Sequence, residues 1–335
     1  HYNMTRFDPV PDVTIVVATY NRGAVLARSL RTVMAQSVAH WQMLVIGDAC
    51  TDDTAAQVAA LGDNRMRFVN LPQRFGEQAG PNSVGAALAQ TDYVAFLNHD
   101  DLWLPDHLAV ALDALDNSDA DLCWTRAAFF SNRGAWDDRA QFEACSAKGR
   151  RLEDLYVQPF VVAEPISAWV FRRAALERLG PMRRATDLPL FPIVDYCQRA
   201  HRLGLRLVTP DDITVLKDRV WTPGRLYDNP ADYAEDWVRQ IESGDITGLR
   251  RQIEQDLWLS DHLGLSQSPM GGHQSDRPLG RIDAQTGLNL THLQAAAHRP
   301  STALLDGLLT ARTGDRIAAQ PNLTQMIAAA REQLQ

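Results

Sequence analysis

The chain has 335 residues, of which 45% are hydrophobic and 22% charged, and its formal net charge is -8. That profile excludes a disordered chain and argues against general nucleic-acid binding, which favours a basic face. Nucleotide binding stays open, because a nucleotide pocket needs only local positive charge; the length suits one large domain with an appendage, or two domains.

Val13 to Ala18 is a short apolar, β-branched run and predicts a strand buried on both faces, as in a parallel sheet. Thr19 to Gly23 reads as a loop, and a helix follows with Val25, Leu26, Leu30, Val33 and Met34 on one face. A second strand, Met43 to Ile46, leads through the loop Gly47 to Thr54 into the helix Ala55 to Leu61, with Thr51 or Asp52 as its N-cap. Arg67 to Leu71 is a third strand, Asn82 to Ala89 a helix, and Tyr93 to Leu97 a fourth strand. This strand-helix alternation predicts a doubly wound α/β sheet, in which ligands sit outside the carboxyl ends of the strands. Three polar loops then share one crevice: Thr19-Arg22, Asp48-Asp53 and Asn98-Asp101.

Leu102 to Asp106 reads as a turn into a helix carrying Leu108, Leu112 and Leu115. Strands are expected at Asp121 to Thr125, Ala163 to Phe171 and Arg206 to Thr209, with helices at Arg172 to Leu179 and Asp195 to Leu203. Ala234 to Leu263 is helical in pattern, Ser266 to Arg281 is a Gly-, Pro- and Ser-rich linker, and Thr291 to His298, Ser301 to Ala311 and Leu323 to Leu334 are helix candidates. Four scattered cysteines, Cys50, Cys123, Cys145 and Cys197, form no CxxC pair and read as reduced thiols of a cytoplasmic protein. No apolar run spans a bilayer and no signal peptide opens the chain; His1, with no Met before it, reads as a processed end.

The chemistry concentrates in Asn98-His99-Asp100-Asp101, at the end of an apolar strand. Packed carboxylates repel unless something neutralises them, and Mn²⁺ or Mg²⁺ prefers oxygen ligands that it shares with substrate phosphates. The plainer reading is that Asp100 and Asp101 cap the next helix and stay solvated. His99 is either a ligand contact or a solvated loop histidine. Trp103 is expected to pack beneath the loop, and Trp124 and Trp169 in the core or a cleft wall. Glu235-Asp236 reads as a solvated helix face. His262, His273, His292 and His298 share no metal-like spacing.

In order, VTIVVATYNR, VIGDACTDDT and GPNSVGAALAQTDYVAFLNHDDLWLPDHL resemble the family 2 glycosyltransferases of GT-A fold, over roughly residues 12 to 215. The resemblance implies a GT-A domain over 1-225 with a mainly helical extension over 226-335. It implies an inverting transfer of a sugar from a nucleoside-diphosphate donor (UDP, GDP or dTDP type) to an acceptor hydroxyl. By position it places Thr19, Asn21, Arg22, Asp48, Asn82, Asn98, His99 and Asp100 at the donor, with Asp48 toward base or ribose. Asp100 and Asp101 become ligands of Mn²⁺ or Mg²⁺. IVDYCQRA matches the helix that carries the family's catalytic base, which falls on Asp195. The acceptor is a glycan, a lipid-linked molecule met at the membrane surface, or a small molecule, and a homodimer fits the C-terminal helices.

Several positions depart from the family pattern. Gly47 replaces an Asp, Pro81 an Arg whose contact Arg74 would have to supply, Asn98 an Asp, and Val194 a Glu. The segment Val215 to Pro223 lacks the metal-binding His of some members, leaving Lys217 or Arg219 to face the diphosphate. These departures favour the rival reading of a decayed binding or scaffolding protein; Asp100 and Asp195 oppose it. A dinucleotide dehydrogenase would need GxGxxG after the first strand, where ATYNRG stands. A sugar nucleotidyltransferase would need a basic, Gly-rich loop there.

Overall fold

The computed structural model describes residues 11–130, 142–156, 164–184, 188, 192–218, 234–262 and 320–335. The expected alternation is present: β1 Val13–Thr19, α1 Gly23–Met34, β2 Trp41–Gly47, α2 Thr54–Ala60, β3 Met66–Asn70, α3 Ala79–Leu88 and β4 Tyr93–Asn98. Next come β5 Leu102–Trp103, α4 His107–Asp116, β6 Leu122–Trp124, β7 Arg126–Phe130, β8 Phe142–Cys145, β9 Trp169–Arg172 and α5 Arg173–Leu179. The remaining elements are α6 Pro192–Arg202, β10 Leu207–Val208, β11 Ile213–Asp218, α7 Glu235–Ser243, α8 Ile246–His262 and α9 Leu323–Leu334.

Seven strands form one mixed sheet in the order β10-β6-β9-β4-β1-β2-β3. β4, β1, β2 and β3 run parallel, and β9 is antiparallel to both β4 and β6. This is the doubly wound mixed sheet of the GT-A fold. β1 is apolar on both faces because both are covered: Val13, Ile15 and Val17 pack with Leu26, Leu30 and Val33 of α1, while Val16 faces Phe96, Trp124 and Trp169. Gly85 of α3 lies against Val16, where an added Cβ would sit 2.3 Å from a valine methyl. Trp103, Trp124 and Trp169 are fully buried core residues.

A second sheet, β5-β11-β7-β8, was not expected. Its strands are short, and β5 is two residues within a segment that reads as a turn. The β-branched run Ile213-Thr214-Val215 was the available signal for β11. α7 and α8 cover this sheet through Trp237, Val238, Ile241, Leu249 and Ile253. The continuous helical pattern from Ala234 is broken at Gly244, whose φ of 78° ends α7. α9 instead covers the outer edge of the large sheet, packing Met326, Ala330 and Leu334 on Val69, Leu71 and Phe75. Its Gln333 amide bonds both backbone groups of Asn70, which blunts the β3 edge.

Other local expectations shift. Met34 is 37% exposed, and the buried face of α1 instead includes Arg28, Ser29 and Thr32. Asp53, not Thr51 or Asp52, occupies the N-cap position of α2, although Asp52 Oδ1 accepts the Thr54 N–H. The strand expected from Ala163 begins at Trp169, preceded by a 3-10 turn at Ile166–Ala168. Glu235 is not simply solvated, since it receives Arg31 Nη1 at 2.8 Å. The linker 266–281, the helix candidates 291–298 and 301–311, Arg219, His273, His292 and His298 lie outside the described residues.

Candidate functional site

The parallel register of β4, β1 and β2 brings Asn98, Thr19 and Gly47 to one edge of the large sheet. The loops that leave this edge are locally strained. Asn21, Arg22 and Ala49 have φ of 51°, 60° and 56°, a left-handed conformation that costs non-glycine residues roughly 1 kcal/mol or more each. Cross-loop bonds hold it. Asp48 N–H donates to Thr19 O at 2.8 Å, Asn21 N–H to Cys50 Sγ at 3.3 Å, and Thr51 N–H to Asn21 Oδ1 at 2.9 Å.

Asp48 turns inward. Its carboxylate accepts the N–H groups of Phe75 at 2.6 Å and Gly76 at 2.7 Å, tying the β2 loop to the β3–α3 loop. Burial pushes its pKa up to about 6, against these bonds and nearby Arg74. The carboxylate expected to face base or ribose is therefore occupied in bracing the loop. Arg74 itself lies over the Tyr20 ring, 3.6 Å from its centroid, so it joins the β3–α3 loop to the first loop. Gly47 has a steric reason. A Cβ there would lie 2.8 Å from Asn70 Oδ1, 2.9 Å from the Phe68 ring and 3.1 Å from Cys50 Sγ. Asn70 fills that space, accepting the Cys50 N–H at 2.8 Å and donating to Cys50 O at 2.9 Å. Pro81 sits in the first turn of α3, where its missing N–H costs nothing, and Asn82 is buried beside it.

The acidic loop is held from three sides. Asp101 is wholly buried: Oδ1 accepts Lys217 Nζ at 2.9 Å and the Asp218 N–H at 3.1 Å, and Oδ2 accepts Asn98 Nδ2 at 3.1 Å and Ser167 Oγ at 2.5 Å. Those four donors engage both oxygens, so Asp101, expected as a metal ligand, is here tied into the loop's own hydrogen bonds. The strand pairing explains the Lys217 contact, because Leu216 lies opposite Leu102, which places Lys217 beside Asp101. Behind it, buried Arg28 reaches Asp218 at 3.7 Å, Ser29 Oγ donates to His99 O at 2.9 Å, and Thr32 Oγ1 accepts the Trp103 N–H at 3.1 Å. Burial pushes Asp218 up; Asp100 pushes the same way, while Lys217 and Arg28 oppose.

Asp100 differs. Its side chain is 13% exposed, with Arg22 Nη1 3.6 Å and His99 Nε2 3.9 Å from Oδ2. Burial alone would raise its pKa, but Lys217, protonated His99, Arg22 and Arg28 outweigh burial and hold it well below the usual carboxylate range. His99 is not a solvated loop residue: Nδ1 lies 3.1 Å from Thr19 Oγ1, and burial lowers its pKa to about 4. Among the described residues, no three His, Cys, Asp or Glu side chains converge as a metal cage. A divalent cation shared with a diphosphate needs only one or two protein carboxylates, and Asp100 fits as a single protein ligand.

Asp195 lies in the first turn of α6 with 10% of its side chain exposed. Oδ1 is 3.5 Å from Arg183 Nη1, while Oδ2 is buried with no hydrogen-bond partner among the described residues. An unsatisfied buried carboxylate oxygen is uncommon. Val194 and Tyr196, which flank it, pack with Ile166 and Trp169, which flank Ser167 and Ala168. Ser167 in turn bonds Asp101 and the Asn98 N–H, so one core cluster supports both the base candidate and the acidic loop. Arg28, Ser167 and Asp218 were not singled out from sequence. Arg28 sits between Leu26 and Leu30 on the buried helix face, which was the one available signal.

Comparison with known proteins bears on the family and the fold. Residues 14–180 match the model described as "Glycosyl transferase family 2". The chain is 33% identical over 120 residues to "Succinoglycan biosynthesis protein ExoO" of Rhizobium meliloti (strain 1021), covering 36% of this chain and 34% of that protein. It is 27% identical over 103 residues to "UDP-Glc:alpha-D-GlcNAc-diphosphoundecaprenol beta-1,3-glucosyltransferase WfgD" of Escherichia coli, covering 31% and 40% respectively. The chain thus spans about a third of the length of these curated relatives. Among solved structures, S. aureus TarS 1-349 in complex with UDP superposes with a TM-score of 0.51 at 16% identity, covering 96% of this chain and 89% of that one.

Proposed function

Because the chain belongs, through residues 14–180, to glycosyl transferase family 2, we propose that it moves a sugar from a nucleoside-diphosphate donor to an acceptor hydroxyl with inversion. The observation that carries the reading is the convergence of three loops at the carboxyl ends of adjacent parallel strands, with Asp100 the partly open carboxylate among them. The likeness to a UDP complex supports a diphosphate at such a crevice through the fold alone. The families of the relatives support a glycan or lipid-linked acceptor. No helix among the described residues is long and apolar enough to cross a membrane.

In this reading Thr19, Asn21 and Arg22 line the donor pocket, and Asp48 and Asn82 hold its walls from within. Asn98 and His99 fix the loop from which Asp100 faces the diphosphate. Mn²⁺ or Mg²⁺ held by Asp100 would neutralise charge on the departing nucleotide. Asp195 Oδ2 takes the proton of the acceptor hydroxyl as its oxygen attacks the anomeric carbon opposite the diphosphate, which inverts the configuration. Arg183 Nη1, 3.5 Å from Oδ1, orients that carboxylate.

The test is a thermal-shift panel of UDP, GDP, dTDP and CDP with and without Mn²⁺, since a ligand that binds only the folded form raises the melting temperature. One diphosphate should stabilise the protein, with a metal-linked increment that Asp100→Ala removes. No shift from any of them would end the proposal. The second reading, a decayed binding protein, is favoured by the ion pairing of Asp100 with Arg22 and by Asn98 in place of a carboxylate. It predicts the thermal shift without donor hydrolysis.

A further inference from the structure

The acidic loop brings its own counter-charges. Three carboxylates, Asp100, Asp218 and Asp101, are matched by Arg22, Arg28 and Lys217 at 3.6, 3.7 and 2.9 Å respectively. An unpaired acidic cluster would repel a diphosphate and would require a bound metal to reverse its sign. Each acid of this cluster already has a cationic neighbour, so the repulsion that a metal must overcome is reduced.

Lys217 is the cation best placed to go further. Two of its three ammonium hydrogens go to Asp101 Oδ1 at 2.9 Å and to Asp218 O at 3.0 Å, and 20% of its side chain is exposed. Among the described residues nothing else accepts from this ammonium, which leaves the third hydrogen to a ligand. The ammonium is anchored by β11 rather than by a flexible surface stem, so it needs no reorganisation when an anion arrives.

We propose that Lys217 contacts the donor's diphosphate as a resident cation, so that the nucleotide binds without a divalent metal and Mn²⁺ adds only a modest increment. This rests on the donor reading above and specifies how its charge is balanced. Lys217 supplies a positive charge to the negative charge that the leaving diphosphate gains, and no proton leaves it.

Isothermal titration of UDP, GDP, dTDP and CDP into the full chain, in EDTA and in Mn²⁺, tests it. At least one diphosphate should bind in EDTA with a Kd within about tenfold of its value in Mn²⁺. Lys217→Met should weaken binding in EDTA by about tenfold or more, the size expected of a close charge pair, while Lys217→Arg should weaken it less. Because Lys217→Met leaves Asp101 buried and unpaired, the pair Asp101→Asn with Lys217→Met serves as a second variant that removes both charges together. It should show the same loss in EDTA. Wild-type binding that is lost in EDTA, or EDTA affinities unchanged by both Lys217→Met and the double variant, would overturn the role of Lys217. Absence of binding by every diphosphate in both media would overturn the donor reading itself.

Discussion

Two buried ionic clusters in this molecule look alike in composition and differ in what they leave open. At the carboxyl edge of the large sheet, Asp100 keeps 13% of its side chain exposed and, across the supporting core, Asp195 Oδ2 has no partner among the described residues. Near the second sheet, Glu164 is closed in. It lies 3.1 Å from Arg150 Nη1 and accepts Ser146 Oγ at 2.6 Å, with the side chains of Arg150 and Glu164 at 5% and 1% exposure. Burial pushes Glu164 up to about 7, with Arg150 and Ser146 opposing. A carboxylate that is both buried and satisfied supports structure, whereas one held in place with unused acceptor capacity is available to a substrate.

The comparison breaks most sharply at Asp195. Asp195→Ala should lower transfer by roughly 10²- to 10⁴-fold, the range for loss of a general base, while the Kd for the nucleoside diphosphate stays unchanged. Initial rates of diphosphate release alongside calorimetry read both. Transfer at the wild-type rate would return Asp195 to the structural class.

Asp101 should fall on the structural side despite its place in the loop. Asp101→Ala leaves Lys217 without its carboxylate in the interior and should cost about 3–5 kcal/mol of unfolding free energy, measured by urea denaturation. A fully stable variant that had lost only metal-linked donor binding would restore Asp101 as a ligand.

Glu164 sharpens the contrast through pH. Its folded pKa of about 7 stands above its ordinary value of 4.5, so the native state holds the proton more tightly than the unfolded chain. Its stabilising contribution is full below about pH 4.5 and is lost as pH rises through about 7. Glu164→Gln imitates the protonated form. Wild-type stability should therefore fall relative to that variant across this window, with no change in nucleotide affinity. A difference that is flat with pH, or that grows, would contradict the assignment.

The smallest effect is expected at Gly47. Gly47→Ala must displace Asn70, Phe68 or Cys50 and should cost about 1–3 kcal/mol, the usual range for overpacking. Asn70→Gly in the same chain should recover part of that loss. No recovery would mean that Asn70 is not what excludes a side chain from position 47.

Much of the site was legible because it is local. A β-branched run followed by a polar loop specifies a buried strand and the edge at which it ends, so Thr19, Asp48 and Asn98–Asp101 could be brought to one crevice by periodicity and spacing. The distinction between Asp100 and Asp101 was not legible. They are neighbours of the same type, and the difference between them comes from Ser167, Lys217 and Asp218, between 66 and 117 residues away. Gly47 looked like a lost carboxylate until Asn70 from the adjacent strand was seen to occupy its place.

By itself the sequence determined the alternating α/β order, the three strand-end loops and the resemblance that singles out Asp100 and Asp195, because hydrophobic period and turn chemistry act over a few residues. Only the tertiary structure decided which acidic groups are neutralised and which are left open. Burial and charge pairing depend on neighbours supplied by a second sheet, whose short strands carry too little pattern of their own to announce where they pair.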